Sequence, residues 1–193
     1  MEKNGDFYAL LFQMKNINRW GLMYNTRNEN LSEHSMECAV LAHALALIGN
    51  HHFGKRWDAN RLLSAALFHD MNEVLTGDLP TPIKYYNEKI KDSYKEVERV
   101  SLHKMLSLLE EESARVYGDL LTLCPEEEKL IKGADKLCAY IKCLQEIERG
   151  NREFLSACRY NEKALREMDL PEVDFFLKHY ISSFTKNIDE VSL

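Results

Sequence analysis

The sequence predicts an all-α fold, and three observations predict it. Only four prolines and eight glycines punctuate 193 residues. Long segments rich in Leu, Ala, Glu and Lys favour helix, whereas alternating β-branched runs, the mark of half-buried strands, are scarce. Apolar residues recur instead at helical spacing along most of the chain. The length suits one well-buried domain and is short for two with an active site between them.

Phe7, Leu10, Leu11 and Met14 fall at i, i+3, i+4 and i+7, which predicts a helix over 7–16. Residues 18–30 lose that period but hold Arg19, Trp20, Gly21, Tyr24 and Arg27, so an ordered loop is expected. Ser32 reads as the N-cap of the next helix, with Leu31 and Met36 as a hydrophobic staple. That helix should run to about Ile48 and end at Gly49-Asn50. Asp58 caps the following one, whose stretch 62–68 is apolar nearly all round and leads into His69-Asp70.

Two prolines and a glycine within 76–82 cannot continue a helix, so a loop is expected there. Beyond it, Ile90, Tyr94, Val97, Met105 and Leu108 mark one face of a long helix, while Lys91, Asp92, Lys95, Glu96 and Arg99 form a solvated face. Pro125 opens another helix, with Glu126, Glu127 and Glu128 well placed against its dipole. Leu130, Ala134, Leu137, Ile141 and Leu144 are its buried stripe, and Asp135 sits at the margin of that stripe. Two last helices, over about 152–168 and 172–190, contribute Phe154, Leu155, Phe175, Phe176, Tyr180 and Phe184.

A net charge of −6 argues against a nucleic-acid-binding surface, although one or two basic residues suffice for a small anion. The odd set Cys38, Cys124, Cys138, Cys143 and Cys158 lacks C-x-x-C spacing and reads as reduced thiols. No apolar stretch approaches the roughly 20 residues of a membrane span, and the first residues lack a signal-peptide pattern. A cytoplasmic protein without membrane contact is expected.

His69-Asp70 ends an apolar helix, and a histidine and a carboxylate in a core must be satisfied. A divalent cation satisfies both. His34 and Asp135 complete a two-histidine, two-carboxylate set suited to Mn, Co, Ni, Zn or Mg. Such a set on a cation that accepts about five or six ligands leaves room for water and substrate, as catalysis requires. His43 is on the far side of its helix from His34; His51, His52, His103 and His179 read as structural or exposed. One metal is therefore expected, not two.

The order His34, His69-Asp70, Asp135 matches the H…HD…D signature of the HD-domain metal-dependent phosphohydrolases. Asn18-Arg19-Trp20, Ser32-Glu33-His34-Ser35, Glu73-Val74-Leu75, the string Thr76-Gly77-Asp78-Leu79-Pro80-Thr81-Pro82 and Ala134-Asp135 resemble the bacterial 5'-deoxynucleotidase family within that superfamily. The resemblance covers nearly the whole chain. It implies one HD domain over 1–193, with a metal-site core at about 31–140 and C-terminal helices packed on it. It further implies a homodimer that hydrolyses deoxyribonucleoside 5'-monophosphates with one divalent cation, Co or Mn foremost. Phe175, Phe176 and Tyr180 are aromatic groups available to a dimer interface.

On this resemblance His34, His69, Asp70 and Asp135 hold the metal, and Glu73, Arg19 and Asp70 are catalytic. Substrate is bound by Arg19, Trp20, His34, Asp70 and the stretch Asp78, Leu79, Pro80 and Thr81. If the helix continues past His69, Glu73 shares a face with it and can move a proton as general base or general acid. The fork of Arg19 fits two phosphoryl oxygens, and Trp20 can leave a 2'-hydroxyl unpaired against an apolar wall. Asp78 and Thr81 offer hydrogen bonds from a proline-stiffened loop. The residues also fit a broader phosphohydrolase of nucleoside triphosphates or signalling nucleotides, or a nucleotide sensor without turnover. Triphosphates would need more cations than Arg19 and Lys84 supply.

Overall fold

A computed structural model describes residues 6–84 and 86–191, apart from the side chain of Thr81. The chain runs through α1 (Asp6–Leu11), α2 (Leu31–His52), α3 (Ala59–Phe68), the single turns α4 (Glu73–Thr76) and α5 (Thr81–Lys84), α6 (Glu88–Leu106), α7 (Glu111–Leu121), α8 (Pro125–Glu148), α9 (Leu155–Glu167) and α10 (Pro171–His179). Among the described residues there is no strand, only an isolated antiparallel bridge between Asn18 and Asn30 that closes the base of the loop between them. No described helix is long and apolar enough to cross a membrane.

Helices α2 and α8 form the frame because both bury more than one face. Cys38, Ala42, Leu45 and Ala46 of α2 pack with Leu62, Ala65 and Ala66 of α3 and with Leu130, Ala134, Leu137 and Ile141 of α8. Leu165, Val173 and Phe176 of α9 and α10 close the same core, which explains an α2 that is apolar nearly all round. A smaller cluster of Phe7, Met71, Met105 and Leu109 ties α1 and α6 to the turn after α3. That turn carries His69 and Asp70, and the full burial of Met71 pins it.

Several boundaries differ from the sequence expectation for physical reasons. The N-cap of α2 is Asn30, not Ser32: its side chain accepts from the Glu33 N–H at 3.0 Å while Glu33 accepts from the Asn30 N–H at 3.3 Å. Leu31 is fully buried, whereas Met36 is exposed. The helix also continues through Gly49 to His52. Gly49 is there for contact, since a Cβ would stand 2.7 Å from Trp57 Nε1 and 2.8 Å from Glu172 Oε1. Asp58 does cap α3, accepting from the Arg61 N–H at 2.9 Å.

The segment at 7–16 is α-helical only to Leu11 and continues as a 3₁₀ turn over Phe12–Asn16. The loop expected at 76–82 narrows to Gly77–Pro80, because Thr81 and Pro82 already open α5. Val97 of α6 is exposed rather than on the buried face, and α7 is an amphipathic helix additional to those expected, with Ala114, Tyr117 and Leu121 packed inwards. The last long helix stops at His179, followed by 3₁₀ turns, and Phe176 belongs to the core while Tyr180 is exposed. All five cysteines are free; Cys38, Cys138 and Cys143 are buried, and Cys124 is exposed just before α8.

Candidate metal centre and active site

His34 lies one turn inside α2, just past the Asn30–Glu33 capping box, and is fully buried. His69 follows the last residue of α3, where its Nδ1 donates to the Ala66 carbonyl at 2.6 Å. A carbonyl only accepts, so Nδ1 carries a proton, and Nε2 is the nitrogen turned towards Asp70 and available to a cation. Asp70 sits in the next turn and Asp135 in the middle of α8. His34 Nε2 is 3.2 Å from Asp135 Oδ1 and 3.5 Å from Asp70 Oδ2, and His69 Nε2 is 3.0 Å from that same Asp70 oxygen.

These residues fit a cation. The ligand atoms of His34, His69 and Asp70 lie within 4.8 Å of one another, and Asp135 joins them from a partly open position with 39 % of its side chain exposed. Nε2 of His34 and Nε2 of His69 are buried with no aligned hydrogen bond, a costly state that a ligated metal would relieve. The electrostatics agree. Burial and the Arg19 charge push the His34 imidazole down, but Asp135, Asp70 and Cys138 outweigh both and hold it well above its ordinary pKa. Burial opposes ionisation of Asp70 and Asp135 as well, yet His69 and His34 hold Asp70, and His34 and Arg19 hold Asp135, below the usual carboxylate range. The site demands positive charge at its centre.

Around that centre the structure gathers most of the other residues singled out in the sequence. Arg19 Nη1 is 3.7 Å from Asp70 Oδ2 and 3.9 Å from Asp78 Oδ1. Trp20 adopts a left-handed φ of 60° and packs its ring against Phe154 at 5.2 Å between centroids. Asp78 follows Gly77, whose φ of 72° turns the chain out of α4. Burial raises the Asp78 carboxyl despite the Arg19 charge. Leu79 and Pro80 are half-buried beside it, and the side chain of Thr81 lies outside the described residues.

Glu73 reaches the site by a different route from the expected continuous helix. The chain leaves α3 at Phe68, and i+3 bonds from Met71 N–H to the Phe68 carbonyl (3.2 Å) and from Glu73 N–H to the Asp70 carbonyl (3.0 Å) make a tight double turn. Glu73 then opens α4 as a buried residue, with Oε2 lacking a hydrogen-bond partner. Burial first, and then the Asp70 and Asp78 charges, push its carboxyl up to about 9, against the opposing pull of Arg19 and Lys84. Lys84 itself donates to Glu98 at 2.7 Å and lies over the Tyr94 ring.

Sequence reasoning missed two supporting carboxylates. Glu29 accepts from Arg19 Nε at 2.9 Å and from Trp20 Nε1 at 3.2 Å. Glu146, fully buried at the end of α8, accepts from Thr26 N–H (2.9 Å), Thr26 Oγ1 (2.8 Å), Arg27 N–H (3.3 Å), Lys142 Nζ (2.6 Å) and Asn151 Nδ2 (2.8 Å). Lys142 also donates to the Arg27 carbonyl, and Asn151 to the Tyr24 carbonyl at 2.9 Å. The 17–30 loop is thus ordered because its backbone is bonded to α8 and the turn after it. A glutamate late in a helix carries no local sign of such a partner. His43, His51, His52, His103 and His179 are absent from the cluster of potential metal ligands.

The family model described as 5'-deoxynucleotidase YfbR-like matches residues 6–184. A 5'-deoxynucleotidase of Erwinia tasmaniensis is 46 % identical over 189 residues, covering 96 % of each chain, and one of Yersinia pestis is 46 % identical over 190 residues, covering 97 % of this chain and 96 % of the other. Among solved structures, an HD-domain phosphohydrolase of Listeria innocua superposes with a TM-score of 0.82 at 23 % identity, over 95 % of this chain and 90 % of that one. An HD phosphohydrolase of cyanophage S-2L, solved bound to dA and one catalytic Zn2+ ion, gives 0.69 at 20 % identity, over 91 % and 96 %. The fold is that of the HD-domain phosphohydrolases, and with the family match spanning nearly every described helix, this chain belongs to the YfbR-like 5'-deoxynucleotidase family.

Proposed function

We propose that this chain is a metal-dependent 5'-deoxynucleotidase, a phosphoric monoester hydrolase that converts deoxyribonucleoside 5'-monophosphates to deoxynucleoside and phosphate and selects against ribonucleotides. The observation that carries this reading is the convergence of His34, His69, Asp70 and Asp135 with an Arg19 guanidinium 3.7 Å from Asp70. The named activity of relatives at 46 % identity supports it. Those four residues would hold one divalent cation, Co or Mn foremost and Zn, Ni or Mg as further candidates, which would supply Lewis acidity at the phosphoryl group and lower the pKa of a nearby water.

The chain's own groups do the rest. Arg19 binds the phosphoryl oxygens and stabilises their charge as the ester bond breaks. Glu73, raised by burial and held beside Asp70, holds and moves the proton, taking it from water or giving it to the leaving 5'-oxygen. Trp20 walls the sugar so that a 2'-hydroxyl finds no partner, while Asp78, Leu79, Pro80 and Thr81 bind the nucleoside side of the substrate. A monophosphate suits this charge supply better than a triphosphate does. The cations that act on Glu73 are Arg19 and Lys84, and Lys84 is engaged by Glu98 at 2.7 Å.

We place the reaction in one HD domain over 1–193, in a cytoplasmic homodimer; the exposed Met36, Val40 and Leu47 along α2 support a contact with a second copy. Incubation with the four deoxyribonucleoside 5'-monophosphates, the ribonucleotides and 3'-isomers, each with Mn, Co, Zn or Mg, tests the activity. Phosphate release from the deoxy 5'-monophosphates is expected. No release from any of them, or pyrophosphate or tripolyphosphate released from triphosphates, would sink the reading.

A further inference from the structure

Glu29 is nearly buried and touches both residues assigned to phosphate and sugar. Its Oε1 accepts from Arg19 Nε at 2.9 Å, its Oε2 from Trp20 Nε1 at 3.2 Å, and its backbone carbonyl from the Arg19 N–H at 2.9 Å. The same Oε1 stands 3.7 Å from His34 Nδ1, on the side of the imidazole away from Asp70 and Asp135. One carboxylate therefore faces the arginine, the tryptophan and a metal-site histidine from behind.

We propose that Glu29 is a positioning residue for the hydrolysis, orienting Arg19 and Trp20 together and facing His34 with its charge, without touching the substrate. The proposal rests on the assignment of Arg19 to the phosphate. Binding Nε of Arg19 uses the inner edge of the guanidinium and leaves the outer nitrogens to point at Asp70 and Asp78, where Nη1 is found. Adjacent residues in an extended chain present their side chains to opposite faces. The left-handed backbone at Trp20 departs from that, and it brings the indole N–H to the carboxylate already holding its neighbour. Such a φ on a large residue persists only where surrounding contacts over-determine it, here Glu29 and Phe154. At 3.7 Å the Glu29 charge makes no hydrogen bond to His34 Nδ1, but its field from that side favours a proton on Nδ1 and leaves Nε2 to a cation.

Glutamine has the same shape but one acceptor oxygen, so it serves one of the two N–H donors and opposes the other with its own NH2. Glu29→Gln should lower kcat/KM for dAMP about 10- to 100-fold and weaken inhibition by inorganic phosphate in parallel. In an Arg19→Ala background the same change should cost clearly less than in the wild type, because the charged group it positions is gone and only its contacts with Trp20 and His34 remain. Glu29→Asp, which keeps both acceptors, should recover part of the loss; if the glutamine variant does not fold, the aspartate variant runs the same cycle. Equal losses with and without Arg19, or wild-type kcat/KM in Glu29→Gln, would overturn the proposal. An Arg19→Ala enzyme with unchanged kcat/KM and phosphate inhibition would instead refute the assignment of Arg19, and the proposal with it.

Discussion

Arg19 Nη1 lies 3.7 Å from Asp70 Oδ2, joining a guanidinium from an irregular loop to a carboxylate from the turn after α3. Burial alone would lower the Arg19 pKa, but Asp135, Glu29, Asp78 and Asp70 together raise it, so the charge is secure at any working pH. Arg19→Ala should therefore reduce kcat/KM for deoxyribonucleoside 5'-monophosphates about 100- to 1,000-fold, the loss typical of a donor that meets developing charge. Steady-state kinetics check it. Arg19→Lys should recover little, since an ammonium cannot present a planar fork to two oxygens.

Removal of the cation should abolish phosphate release and lower thermal stability. With metal at about a hundredfold excess over its Kd, binding should add about 2.7 kcal/mol to the folded state. Asp135→Ala should lose most of that thermal shift and most of the bound metal by elemental analysis. Metal content unchanged in this variant would remove Asp135 from the ligand set.

Glu146 should make stability acid-sensitive. Burial works against its charge, but the bonds from Lys142, Asn151 and Thr26 prevail and hold its carboxyl well below the usual range. A depressed folded pKa contributes stability that is complete above the unfolded value of about 4.3 and disappears as pH falls through the folded one. Glu146→Gln should cost about 3–5 kcal/mol near neutrality, because it leaves the Lys142 ammonium buried without its partner. Denaturant melts at a series of pH values should show the gap to wild type closing below about pH 4.

Gly49→Ala should destabilise the junction of α2, α3 and α10 without touching the metal site. The added Cβ meets Trp57 and Glu172, whose own hydrogen bond spans 3.3 Å. Overpacking of this kind costs about 1–3 kcal/mol, and each kcal/mol lowers the Tm of a chain this size by about 2–4 °C. Calorimetry with unchanged kcat would confirm that the effect is confined to packing.

Helix content was legible because periodicity and caps are local: Asp58 and Pro125 open their helices where the sequence places them. Capping choice was less so, since Asn30 and Ser32 are both competent caps and the Asn18–Asn30 bridge decides between them. The pairing of Arg19 with Asp70 was not legible from spacing at all, because the loop holding Arg19 has no period to extrapolate.

By itself the sequence determined the helical class, the candidate ligands His34, His69, Asp70 and Asp135, and the family pattern, all of which reside in residue identity and short-range spacing. Only the tertiary structure decided that α3 breaks at Phe68 so that Glu73 enters the site from a new helix, and that Glu29 and Glu146 brace the loop of Arg19 and Trp20. The physical reason is that buried donors must find acceptors wherever the fold supplies them. For Thr26 and Arg27 the acceptor lies 119 to 120 residues away, a distance no local pattern encodes.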